Sequence, residues 1–202
     1  MRNSQAKKDE NRQLILSQAG KLFREHGIDG VSVADVMRAA SMTHGGFYRH
    51  FADKNELVAQ TLNGVLNPDA EHVPINIGVF ADAYLSMAHR SDIGTGCAFA
   101  ALGPEVTRGP TAPRQVMTSA IERQIDGFAQ SLPGAQASRR QVAIGSWASM
   151  IGALVLARVA NDDALAEEIL TDVHAWVSAG VARHAEQNDP RRQTPAGVPL
   201  SK

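Results

Sequence analysis

Polar and apolar positions along this chain repeat with the period of an α-helix almost throughout. From about Asn11 to His26, Leu14, Ile15, Gln18, Leu22 and Phe23 fall on one face, with Ala19 filling the stripe. Gly27 follows where a helix commonly stops. A shorter period covers Ser32 to Ala40, with Val33, Val36, Met37 and Ala40 on its buried side. Ser32 and Asp35 have the spacing of a capping box, with Asp in place of the usual Glu or Gln. Ser41 and Met42 interrupt the pattern, and Thr43 opens a second short helix through about His50, from which Phe47 and Phe51 point inward. Asp53 caps a helix to about Leu66, and Glu56 is expected to complete its capping box. Five more helices are expected over 75–89, 97–108, 113–132, 138–159 and 163–186, with breaks at Asn67-Pro68, 91–96, Gly109-Pro110 and Pro133-Gly134. No segment alternates as a strand would, so the expected class is all-α with about nine helices.

Two short helices joined by a tight turn and packed on a longer one have the geometry of a helix-turn-helix reader of the major groove. The second of them alternates polar Thr43, His44, Tyr48 and Arg49 with apolar Met42, Phe47 and Phe51. That pattern alone also fits an ordinary bundle corner. Charge sharpens the picture. Residues 1–54 hold nine Lys and Arg against six Asp and Glu, a net +3, while the rest of the chain carries −4. A basic start on an acidic body is a modest footprint of polyanion binding.

The run from Ala39 through Ser41, Met42, Thr43, His44, Gly45, Gly46, Phe47, Tyr48, Arg49, His50, Phe51 and Lys54 to Leu57 resembles the DNA-binding signature of the TetR family. There an apolar-Tyr-x-His-Phe core precedes a short turn, Lys, an acidic residue and Leu. The likeness spans roughly residues 10 to 58. It implies that Tyr48 sets its hydroxyl on a phosphate with its ring on Phe51, and that Thr43 offers a hydroxyl and a backbone N–H to another phosphate. It implies phosphate contacts for Lys54 and His50, base reading by His44 and Arg49, and a close approach of backbone to DNA at Gly45. Ser32 completes the expected DNA-binding set, and Lys7, Lys8 and Arg12 stand ready to add backbone contacts. Two features depart from the family pattern. Ser41 replaces the usual Gly where the turn often needs a positive φ, and Gly45-Gly46 weakens the reading helix, which is expected to form loosely.

The resemblance implies three parts: a helix-turn-helix domain at 1–54, a helical ligand-binding and dimerisation domain at 55–186, and a disordered tail at 187–202 with three prolines and little apolar content. In similar proteins the last two long helices pair with those of a second copy. Small residues at Gly145, Ser146, Ala148, Ser149, Gly152 and Ala153 and apolar Trp176, Val177 and Val181 suit that role. A cavity for a small-molecule effector is expected on Tyr84, Met87, Phe99, Met117, Ile121, Phe128, Trp147 and Met150, whose low charge favours an apolar or mildly polar ligand. Plain core is the competing account of each. The lone cysteine, Cys97, opens a helix after a glycine-containing turn and is weighed both as a sensor of oxidants or electrophiles and as a packing residue.

Other functions find little support. No two histidines stand three or four residues apart as on a zinc-binding helix, and no nucleophile elbow, phosphate loop or dinucleotide fingerprint occurs. Neither enzyme, metal nor cofactor is expected. One cysteine, a polar start and no unbroken run of eighteen apolar residues lead to expectations of a cytoplasmic location and no membrane partner. The function expected is a DNA-binding regulator, a homodimeric repressor released from a palindromic operator by a small-molecule inducer, electrophilic and oxidising ones among the possibilities.

Overall fold

A computed structural model describes residues 2–67, 74–189 and 191. Most of the tail and the Pro68 break lie outside the described residues. Among those described, all regular structure is helical: α1 (Arg2–His26), α2 (Val33–Ala39), the 3₁₀ helix η1 (His44–Arg49), α3 (Lys54–Leu66), α4 (Ile77–Tyr84), α5 (Met87–Ser91), α6 (Ala98–Val106), α7 (Thr111–Gln130), α8 (Gln136–Val159) and α9 (Asp163–Gln187). The chain divides into two compact units, Met1–Glu71 with Met87–Arg123, and His72–Ser86 with Gln124–Lys202.

The first unit is built on α1. Ile15, Ala19 and Phe23, one helical turn apart, are fully buried and meet Val36 and Met37 of α2, Phe47 of η1, Phe51, and Leu57, Val58 and Leu62 of α3. Leu102 and Val106 of α6 and Met117 of α7 join the same core. Leu14, expected on the inner face, is 43% exposed, because Ile15 and Ala19 set the angle at which the helix faces the core. Gly27 ends α1 as expected, with a φ of 78° and its N–H on the Phe23 carbonyl at 2.8 Å. Beside it, the Glu105 carboxylate of α6 accepts from the N–H of Ile28 at 2.7 Å and of Asp29 at 3.4 Å. A side chain at Gly27 would collide with that carboxylate, its Cβ falling 2.8 Å from Oε1. Arg24 makes a second tie, its Nε donating to the Gly94 carbonyl at 2.7 Å.

The α2–η1 turn is a Schellman motif. The Met42 N–H reaches the Met37 carbonyl at 2.8 Å and the Ser41 N–H reaches Arg38 at 3.0 Å. Ser41, the residue after the C-cap, has a φ of 57°, the positive value that the missing glycine led us to expect.

In the second unit α8 and α9 lie together, joined by α4 and the end of α7. Tyr84, Phe128, Trp147, Met150, Leu154, Leu170 and Val177 are buried there. The Ile75 N–H donates to Gly127 at 3.0 Å, and Asp82 meets His174 at 2.7 Å. The Pro133-Gly134 turn is seated on the end of α9, where His184 Nε2 lies 2.8 Å from the Pro133 carbonyl. The single helix expected over 75–89 is instead two, α4 and α5. Leu85 leaves helical geometry at ψ 59°, and the Ser86 hydroxyl donates to the Ala83 carbonyl, so a local side-chain bond replaces the helical one. By length and composition α8 could cross a membrane, although it holds no unbroken run of eighteen apolar residues; in this fold one face of it packs on α9.

Two outcomes test these contacts. Ser41→Val, forcing a β-branched residue into left-handed geometry, lowers the unfolding free energy by ~1–2 kcal/mol, whereas Ser41→Gly does not lower it. Glu105→Ala strips two N–H groups of a charged acceptor and costs ~1–3 kcal/mol in urea denaturation.

Candidate nucleic-acid interface

Ser32 starts the helix-turn-helix. Its hydroxyl accepts from the Asp35 N–H at 3.2 Å, and its own N–H donates to the Asp35 carboxylate at 3.0 Å, the reciprocal pair expected of a capping box. The Ser32 hydroxyl, donating to the Asp35 carboxylate at 2.5 Å, and then the Ser32 N–H hold that carboxyl below its usual range, with Arg38 assisting at 3.1 Å. The Ser32 side chain is therefore committed to the cap, although the residue is exposed.

Thr43 occupies the N-cap position of η1 in extended geometry, and its hydroxyl makes no capping bond. The helix that follows is 3₁₀ rather than α. Gly45 and Gly46 account for this, since each interior glycine costs about 1 kcal/mol of α-helix propensity. Packing fixes it in place. Phe47 and Phe51 are 1% and 2% exposed and stack at 5.5 Å between ring centroids. With that side anchored, Thr43, His44, Gly45, Tyr48 and Arg49 are all exposed, Tyr48 by 67%. A Cβ at Gly45 would meet nothing within 4 Å. The Tyr48 ring does not lie on Phe51 as expected. It stands edge-on to Phe47 at 5.3 Å, and Phe51 is taken instead by Phe47 and by the Arg12 guanidinium, 4.6 Å above its ring. His44 stands edge-on to Tyr48 at 6.4 Å.

His50 closes η1 half-buried, its Nδ1 enclosed without a hydrogen-bond partner. Desolvation, then the charges of Lys8, Arg12 and Arg49, push its imidazole below the ordinary histidine pKa. Asp53 caps α3 through the Glu56 N–H at 2.8 Å. The Glu56 carboxylate returns not to Asp53 but to the Ala52 N–H, at 2.7 Å, while also facing Arg12 at 3.8 Å. Lys54 is the first residue of α3, half-exposed, and lines a cavity of about 300 Å³ with Asn55, Val58, Ile28, Glu105 and Arg108.

The expected effector residues fall in both units. Tyr84, Phe128, Trp147 and Met150 belong to the second and are buried; Phe80 stacks on Tyr84 at 5.2 Å and meets Phe128 edge-on at 5.1 Å. Met87, Phe99, Met117 and Ile121 belong to the first, with Met117 buried and Ile121 38% exposed. Cys97 is the N-cap residue of α6, half-buried, and its backbone N–H donates to His89 Nε2 at 3.2 Å. Glu105 escaped attention in the sequence. A lone carboxylate in the otherwise apolar α6 was the signal that could have found it.

A family model for bacterial regulatory proteins of the tetR family matches residues 15–61, the segment from the middle of α1 into α3. The HTH-type transcriptional regulator AcrR of Shigella flexneri is 36% identical over 59 residues, 29% of this chain and 27% of that protein. The regulator HbdR of Aromatoleum sp. (strain CIB) is 33% identical over 69 residues, 34% of this chain and 30% of its own length. The chain thus matches under a third of the length of these relatives. Among solved structures, the reduced form of NemR from E. coli superposes with a TM-score of 0.64 at 18% identity, covering 84% of this chain and 96% of NemR. A TetR regulator from Chloroflexus aurantiacus superposes at 0.67 with 22% identity, covering 86% and 96%. These structural likenesses establish the fold, and the sequence match falls on the segment that exposes Thr43, His44, Tyr48 and Arg49. Over residues 15–61 the chain is thus similar to the DNA-binding segment of the tetR family of bacterial regulatory proteins, and its fold is that of the solved TetR-type regulators.

Proposed function

We propose that this protein is a DNA-binding transcriptional regulator, a homodimeric repressor released from a palindromic operator by a small-molecule inducer. The observation that carries the reading is η1, whose buried phenylalanines leave a polar outer side free to meet a duplex. On this reading Tyr48, Thr43, His50 and Lys54 position the protein on phosphates, Ser32 supports the approach from the start of α2, and Gly45 allows close contact. Arg49 and His44 read bases, Arg49 by a two-pronged hydrogen bond of the kind arginine makes to guanine.

Dimer formation is proposed through α8 and α9. Ile144, Ala148, Val155 and Val159 recur at helical spacing along one exposed side of α8, Val159 at 78% exposure, and Leu165 and Trp176 of α9 are also exposed. Two copies joined there would present two η1 elements to half-sites one DNA turn apart, ~34–36 Å. Residues 1–54 serve DNA reading and 55–186 pairing and effector binding. The effector seat is proposed on Tyr84, Phe128, Trp147 and Met150 of the second unit. Inducer binding shifts the balance between a DNA-binding arrangement and one that does not fit the operator. For an electrophilic or oxidising inducer, Cys97 is the group to react. No catalytic role, metal or cofactor enters this reading, and the site of action is the cytoplasm.

Gel-shift titrations on the region upstream of its own gene test the interface. Tyr48→Ala and Lys54→Ala weaken binding to all sequences alike, while Arg49→Ala also flattens base preference, by ~1–3 kcal/mol at the affected position. Variants that bind like the parent would refute the assignment. For the inducer, Cys97→Ser abolishes release of DNA by an oxidant or electrophile. Normal release by that variant assigns sensing to the effector seat instead.

A further inference from the structure

The cavity of about 300 Å³ beside Lys54 lies between the start of α3, the loop after α1 and the α6–α7 turn, wholly inside the first unit. Its floor is apolar. Val58 of α3, Val106 of α6 and Pro113 of α7 are buried there, and half-buried Ile28 joins them. The first turns of two long helices border the space, α3 through Lys54 and Asn55 and α7 through Pro113. Helix N-termini carry partial positive charge and favour anions.

Asp29, Lys54, Glu105 and Arg108 are the charged side chains of the lining. Two of them, Lys54 and Glu105, are half-buried, and their situations are opposite. The Glu105 carboxylate is engaged by the N–H groups of Ile28 at 2.7 Å and Asp29 at 3.4 Å. Lys54 has no carboxylate within 4 Å among the described residues, and neither has Arg108 at the exposed rim. Asp29 is exposed too, where water and salt screen its charge. The acid inside is thus satisfied while the cation inside is not. An apolar floor edged by unpaired cations fits an amphipathic anion, whose body leaves water while its head meets the cations. A bare inorganic anion would leave the floor unused, and a neutral apolar molecule would leave the cations unused. The volume sits at the lower end of ligand pockets, about 300–1,000 Å³, which points to a compact molecule.

We propose that this cavity binds a small organic monocarboxylate, an aromatic or branched acid. Its carboxylate meets Lys54 and Arg108, and its apolar part rests on Val58, Val106 and Pro113. None of these residues belongs to the effector seat proposed above, which lies in the second unit. The site itself stands on the cavity alone, while its consequence rests on the DNA-binding reading, in which Lys54 holds a backbone phosphate. One ammonium cannot serve both anions fully. A carboxylate that draws Lys54 into the cavity withdraws it from the duplex, so acid and DNA oppose each other, and the opposition is reciprocal. An acid bound here acts at the reading head itself and needs no rearrangement relayed from another part of the chain.

The test uses the full chain and three probes at fixed ionic strength: benzoate, its neutral analogue benzamide, and inorganic phosphate. Calorimetry shows saturable binding of benzoate, with benzamide and phosphate weaker by about 10-fold or more. Arg108→Gln, an exposed change outside the DNA interface, weakens benzoate about 3–10-fold and leaves duplex affinity without acid unchanged. In hydrogen-exchange mass spectrometry benzoate slows exchange in residues 54–58 and 105–113. In anisotropy titrations on the region upstream of its gene, saturating benzoate lowers affinity about 3–10-fold. It also reduces the slope of log affinity against log salt by about 1, the loss of one phosphate contact. Lys54→Ala binds the duplex more weakly from the start, and benzoate weakens it no further. Thermal melting checks that both variants fold. Absent benzoate binding, or equal binding by benzamide or phosphate, overturns the site. So does protection confined to 143–154, which puts the acid in the effector seat instead. Benzoate binding that leaves duplex affinity and salt slope intact overturns the opposition between acid and DNA. A parent that binds no duplex refutes the DNA-binding reading, and calorimetry on Arg108→Gln still decides the cavity.

Discussion

Two buried rings hold the reading surface together. Phe47 and Phe51 stack beneath η1 and bury almost completely against α1, α2 and α3. Fully burying a large apolar side chain is worth about 1.5–3 kcal/mol, more than the ~1 kcal/mol that each interior glycine costs a helix. The element therefore persists by anchorage rather than by propensity. Six residues cannot form a stable helix alone, yet here they need not, because the underside is fixed and the outer side is free to remain polar.

The same arrangement explains what the sequence could disclose. Phe47 and Phe51 at four-residue spacing, with Tyr48 and Arg49 between, made the buried and exposed sides of η1 legible, and Ser41 announced a positive φ because it stands where glycine is usual. Caps formed by neighbours were legible too, as with Ser32 and Asp35. Less visible were choices among equivalent local partners. Glu56 could reach back to either of two adjacent N–H groups and takes Ala52. Tyr48 could lean on either of two phenylalanines, and Arg12, arriving from another helix, settles the matter by taking Phe51.

Contacts that join distant parts of the chain were not legible at all. Arg24 holds Gly94, and Glu105 holds the loop after α1, across separations of 70 and 77 residues. No periodicity encodes such pairs. The extension of α1 to Arg2 escaped for the opposite reason: its turns are polar all round, so its helicity rests on local side-chain pairs rather than on an apolar stripe. Likewise, the break between α4 and α5 follows from one hydroxyl at Ser86 competing for a backbone carbonyl, a contest that hydrophobic periodicity does not record.

The seat of Glu105 has an evolutionary corollary. Its carboxylate fills the space that a methyl group at residue 27 would need, while its oxygens saturate the peptide groups just beyond. Neither position is then free to drift by itself. A descendant that acquires a side chain at 27 must shorten the acid at 105 or displace α6, and one that loses the acid leaves a vacancy that residue 27 can occupy only by abandoning its left-handed backbone. Residues 27 and 105 should therefore covary across related sequences, a signature of physical contact between helices that are remote along the polypeptide.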